Sequence, residues 1–134
     1  MALLMAAALV VAAVFLLVPF FIAIDKVPGS RVAMIQIADF GKALYMFKLD
    51  VGRYPTNAEG LQALVVKPAD ADGWDGPYMK GGVPIDPWNN PYHYNNPGPG
   101  GSVEIFSLGA DNAPGGEGEN ADIRQVVKDD EGSR

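Results

Sequence analysis

The sequence predicts an α+β fold on three observations. Residues 1–24 carry no charged side chain, whereas residues 25–134 hold all ten Lys and Arg and all sixteen Asp and Glu. Residues 30–51 repeat apolar side chains at helical spacing, and residues 92–107 hold two alternating runs around a turn-rich centre. The average composition, 49% hydrophobic with a net charge of −6, therefore mixes two solvents. At 134 residues the chain has room for one domain, which excludes a multidomain enzyme.

The first element, residues 1–24, is expected to be a transmembrane helix, since crossing a bilayer takes roughly 20 apolar residues. A cleaved secretory signal fits less well. It would show a basic start and a shorter apolar stretch, and the first basic residue here is Lys26. Pro19 removes one backbone hydrogen bond and is expected to kink the helix. Lys26 and Arg31 both follow the segment beside Asp25, so the distribution of basic residues does not fix its orientation.

Residues 25–134 form the expected soluble domain. Pro28-Gly29-Ser30 is a break, with Ser30 placed to cap the amphipathic helix 30–51. Met34, Ile37, Phe40, Leu44, Phe47 and Val51 make its apolar stripe, which core packing against the domain's own sheet explains. Gly52 and Pro55 end it. Thr56-Asn57-Ala58-Glu59 has capping-box spacing ahead of a short helix carrying Leu61, Leu64 and Val65.

Residues 69–91 read as an ordered aromatic loop around Trp74, Tyr78 and Trp88. Residues 92–107 read as an antiparallel hairpin turning through Asn95-Asn-Pro-Gly-Pro-Gly-Gly101. An acidic loop at 108–123 and a tail at 124–134, fraying from Lys128, complete the chain.

Catalysis finds no support in these residues. His93 is the sole histidine, cysteine is absent, and no serine or threonine occupies a strand-to-helix elbow. The glycines of 98–101 enclose a proline and lack a lysine, so they make a turn and not a phosphate loop. The acidic balance, with a sequence pI near 4.5, argues against nucleic acid as a partner.

The acidic loop is more informative. Residues 108–122 gather four carboxylates and two asparagines among glycines. Such hard oxygen donors on a flexible chain suit Ca²⁺, which takes about six to eight oxygens at about 2.3–2.6 Å. The spacing is not that of an EF-hand, and composition leaves calcium and a merely solvated acidic loop both open. With no disulfide available, a bound metal would reinforce so small a domain.

Three blocks of the chain resemble the major pseudopilin of type II secretion systems, general secretion pathway protein G. They are Ala43 to Leu64 with its Gly52-Arg-Tyr-Pro-Thr-Asn-Ala-Glu-Gly60 run, Asp86-Pro-Trp-Asn-Asn-Pro-Tyr-His-Tyr94, and Phe106-Ser-Leu-Gly-Ala-Asp111 with its acidic continuation to Ile123. The resemblance implies a pilin-like fold, with a long N-terminal helix half in the membrane and half on a small antiparallel sheet. It implies a homopolymer, the pseudopilus, which works with other pseudopilins and inner-membrane secretion components to export folded proteins. It places the chain in the bacterial inner membrane as a single-pass protein with its domain in the periplasm. It also implies a calcium site, carried over to the carboxylates of Asp111 and Asp122, the carbonyl of Leu108, and oxygens of Ala113 and Asn120.

One departure stands beside the match. The family starts with a basic leader ending in glycine, cut by prepilin peptidase, followed by an aromatic residue and a Thr-Leu-Ile-Glu run. Aligning Pro19 with the family's membrane proline puts Ala2 in the place of that glutamate. The expectation is then either a start upstream of Met1 or a relative anchored without processing. Two further readings follow: a monomeric membrane-anchored calcium module recognising a periplasmic partner through Trp74, Tyr78 and Trp88, and a minor pilin related to type IV pili.

Overall fold

The computed structural model describes residues 27–128. The expected transmembrane helix, the Pro19 kink and the end of the tail lie outside them. Among the described residues no helix is long and apolar enough to cross a membrane.

Helix α1 spans Gly29–Val51 and begins one residue earlier than its sequence pattern suggests. Pro28, in an extended conformation, is the N-cap, so Ser30 falls inside the first turn and does not cap it. A proline suits this position, because the amide it lacks would have no partner there. The far end behaves as expected. Gly52 adopts φ 87°, a left-handed conformation that strains any residue with a side chain, and its amide donates to Lys48 O at 2.8 Å.

The face that α1 buries consists of Ala33, Ile37, Phe40, Gly41, Ala43, Leu44 and Phe47. Met34 departs from the expected stripe and is 58% exposed, because Ala33 takes the inward place on that turn. Thr56 and Glu59 form half of their box: the Glu59 amide donates to Thr56 Oγ1 at 3.2 Å, while the Glu59 carboxylate accepts that hydroxyl in place of the backbone amide a full box would use. The box caps only one turn, since Gly60 (φ 60°, ψ −164°) breaks the chain before the 3₁₀ helix Leu61–Leu64.

The sheet is an antiparallel meander of β1 (His93–Asn95), β2 (Val103–Ser107) and β3 (Ile123–Val127), with β2 central. The third strand replaces the first four residues of the expected tail. Its alternation is legible in Ile123-Arg-Gln-Val-Val127, whose odd positions sit half-buried while Arg124 and Val126 are exposed. Helix α1 packs on β2 and β3. Contact is close at Gly41, where a Cβ would come within 2.6 Å of the Gln125 side chain.

Phe40, Leu44 and Phe47 meet Val103, Ile105 and Leu64 in the core. The aromatic loop is part of this packing. The Trp74 indole donates to Ala63 O at 2.8 Å, and Trp74 stands edge-on to Tyr78, which in turn meets Phe47. Two of the three rings that the rival reading offers to a partner are thus engaged by the fold itself. Tyr92 packs edge-on to Phe40 and donates to Gln36 Oε1, while Tyr94 donates to Pro55 O at 2.7 Å. Burial, with the Asp86 charge nearby, pushes the Tyr92 hydroxyl up to about 12, and burial raises Tyr94 as well. Both rings therefore keep their protons, and their hydrogen bonds, well above neutral pH.

Candidate metal centre

The acidic loop is the connection between β2 and β3, and both of its ends are held. At the first end, the Gly109 amide donates to Ser107 Oγ at 3.1 Å, and that hydroxyl donates to Asp86 Oδ2 at 2.8 Å. Asp86 is 2% exposed, and its other oxygen accepts the amides of Trp88 and Asn90. A buried carboxylate thus ties the proline-rich loop to the start of the acidic one. Across the loop, the Ala110 amide donates to Glu119 O at 2.8 Å.

Glycine lets the loop close on itself at two points. Gly109 (φ 74°) and Gly116 (φ 89°) both face the Asn120 carbonyl, where added Cβ atoms would sit 2.8 and 2.5 Å from its oxygen. The structure therefore brings the residue after Leu108 against Asn120, two residues before Asp122.

Asp122 is the most distinctive group of the loop. Its Oδ2 accepts the Arg124 guanidinium at 2.9 Å, while its Oδ1 is buried without a hydrogen-bond partner. Arg124, helped by the Gly115 amide, holds the carboxyl below the usual carboxylate range. With Oδ1 lacking a hydrogen bond of good geometry, a cation would complete the carboxylate's partners beside Arg124 and the Gly115 amide. Asp111 and Ala113 lie exposed, with the Ala113 amide donating to Asp111 Oδ1 at 3.2 Å. Glu119 turns elsewhere, to Ser30.

Among the described residues, no three acidic or histidine side chains converge as a metal cluster. A cation at this loop would lean on carbonyl oxygens in addition to carboxylates. All five expected donors offer oxygen, which fits a hard cation such as Ca²⁺ and not a softer metal.

Sequence reading missed Arg124, which it left in the tail. Arg124 also pairs with Glu104 at 3.0 Å and lies over the Phe106 ring at 4.2 Å. His93 stacks on the same ring, with centroids 4.8 Å apart. The register puts all three on one sheet face, His93 opposite Phe106 and Phe106 opposite Arg124. The lone histidine therefore belongs to a cross-strand stack, although its Nε2 is buried without a partner.

The family model for type II secretion system (T2SS) protein G matches residues 25–126. The chain belongs to the protein G family. Among its relatives is the type II secretion system core protein G of Vibrio cholerae, 45% identical over 95 residues, which cover 68% of this chain and 64% of that protein. The core protein G of Pseudomonas aeruginosa is 45% identical over 97 residues, covering 69% and 67%. The chain thus spans about two thirds of these relatives' length. The crystal structure of the major pseudopilin from the type 2 secretion system of enterohaemorrhagic Escherichia coli superposes with a TM-score of 0.61 at 34% identity, covering 72% of this chain and 84% of that one. The protein G domain described here has the pilin-like fold, one N-terminal helix on a three-stranded antiparallel sheet.

Proposed function

We propose that this chain is a structural subunit of a type II secretion pseudopilus, anchored in the inner membrane through residues 1–24, with its domain in the periplasm and no catalytic step of its own. The observation that carries the reading is the family match across 25–126 together with the uncharged run that precedes it. The surface of α1 supports it. Met34, Ile35, Tyr45, Met46 and Leu49 are all about half exposed or more, so the helix has apolar side chains outside the core it already covers. Side-by-side packing of such helices would build a shaft as subunits leave the bilayer, with other pseudopilins and inner-membrane components as neighbours.

The chain has no cysteine, so introduced thiols report on contacts without background. With Ile35→Cys and Leu49→Cys together, oxidation of intact membranes should give a ladder of disulfide-linked multimers of this chain. A single band with an unrelated protein would replace the polymer by a monomeric anchored module.

The loop of 108–122 is proposed to hold Ca²⁺ through Asp111, Asp122 and the oxygens of Leu108, Ala113 and Asn120. When bound, the ion would supply positive charge to the loop's carboxylates and tie its two ends together. Asp111→Ala isolates this role, because among the described residues the exposed carboxylate accepts only the Ala113 amide. Calcium at a hundredfold excess over its Kd stabilises a native state by about 2.7 kcal/mol, or roughly 10 °C in Tm for a domain of this size. The variant should melt close to the parent in chelator and lose the calcium-induced rise. Equal rises in parent and variant would remove Asp111 from the site.

A further inference from the structure

Helix α1 has no cap of its own. Pro28 offers no side-chain hydrogen bond, the first turn holds no acid, and Arg31 adds a positive charge where the helix dipole is already positive. The missing acceptor comes from 89 residues away. Glu119 Oε2 accepts the Ser30 amide at 3.3 Å, and Glu119 Oε1 accepts the Ser30 hydroxyl at 2.8 Å. Gly29 makes the room, since a Cβ there would lie 2.9 Å from the Trp88 ring and 3.1 Å from Glu119 Oε2.

The carboxylate is itself held by the loop. Glu119 lies in the 3₁₀ turn Gly118–Asn120, its carbonyl accepts the Ala110 amide, and Gly109 and Gly116 press on the neighbouring Asn120 carbonyl. A cap contributed by the helix's own sequence would survive motion of this loop, whereas one lent by the loop would not. We propose that Glu119 is a positioning residue through which the loop of 109–122 caps the first turn of α1, so that order in the loop sets order at the helix start. Its geometry is independent of the pseudopilus reading. Its consequence rests on that reading, because residues 27–30 are where the domain would join the membrane segment.

Hydrogen exchange on the full chain in detergent micelles tests the coupling. Glu119→Ala should raise exchange of the amides at 30–32 about fivefold, the effect of losing one cap, and leave the Phe40–Phe47 amides unchanged. Gly116→Ala should do the same without touching Glu119, by displacing Asn120. Unchanged exchange at 30–32 in Glu119→Ala overturns the proposal. So does an effect of Glu119→Ala without one of Gly116→Ala, or an equal rise throughout the core. Repeating the series in chelator separates the two readings: if both variants act and chelation does not, the cap stands and the calcium reading falls.

Discussion

Phe47→Ala is expected to lower the unfolding free energy by about 3–5 kcal/mol, a large share of the roughly 5–15 kcal/mol that a domain of this size has. Phe47 has 0% exposure, sits on the last full turn of α1 before Gly52, and meets the edge of Tyr78 at 5.9 Å between centroids. Removing its ring takes away more than its own transfer energy. Tyr78 is held by Phe47 on one side and by the Leu64 carbonyl and Asp50 carboxylate on the others, so it cannot move in to fill the cavity without breaking hydrogen bonds. Urea unfolding of the chain measures the loss. Met34→Ala is the matched control, since it lies on the same helix at a position that sequence spacing assigns to the same stripe. At 58% exposure it should cost below about 1 kcal/mol. A similar loss from both substitutions would mean that α1 turns a different face to the sheet.

That contrast shows what a period can resolve. Helical spacing places α1 and selects Ile37, Phe40, Leu44 and Phe47 correctly, because their three- and four-residue steps keep to one face, although Ile35, Tyr45, Met46 and Leu49 beside them are apolar as well. It misplaces Met34, because Ala33 beside it is also apolar and smaller, and close approach of the helix to the sheet selects the smaller residue. The same preference puts Gly41 against Gln125. Strand β3 was legible in principle, since Ile123, Gln125 and Val127 alternate with Arg124 and Val126. The glycine- and acid-rich context on either side concealed it. Long-range polar pairs were not legible at all. Nothing local to Ser30 announces Glu119, and nothing local to Asp122 says which of its oxygens meets Arg124 and which is left without a donor. The candidate site was therefore visible as a composition, and its internal division of labour only as a structure.

Asp86→Ala carries the second large effect, expected at about 2–4 kcal/mol. Asp86 lies in a run that sequence reading assigned to an ordered loop without giving it a role, yet its carboxylate is 2% exposed and accepts from the amides of Trp88 and Asn90 and from the Ser107 hydroxyl. Hydrogen bonds to a charged acceptor contribute about 1.5–3 kcal/mol each, though three bonds to one group do not add independently. Water can reach the Trp88 and Asn90 amides once the carboxylate is gone, because both residues are half-buried. It cannot easily reach Ser107, which has 0% exposure, so the hydroxyl is left as a buried donor. Asp86→Asn keeps one carbonyl oxygen for the two amides and should cost less. Ser107→Ala should cost a similar amount to Asp86→Ala, since it strands Asp86 Oδ2 and the Gly109 amide together. The double variant should then lose less than the two single losses combined, by more than about 1 kcal/mol, which is the signature of one shared network. Full additivity in that cycle would show that Asp86 and Ser107 act separately. The effect would then stop at the aromatic loop and would not extend through Gly109 to the loop that lends α1 its cap.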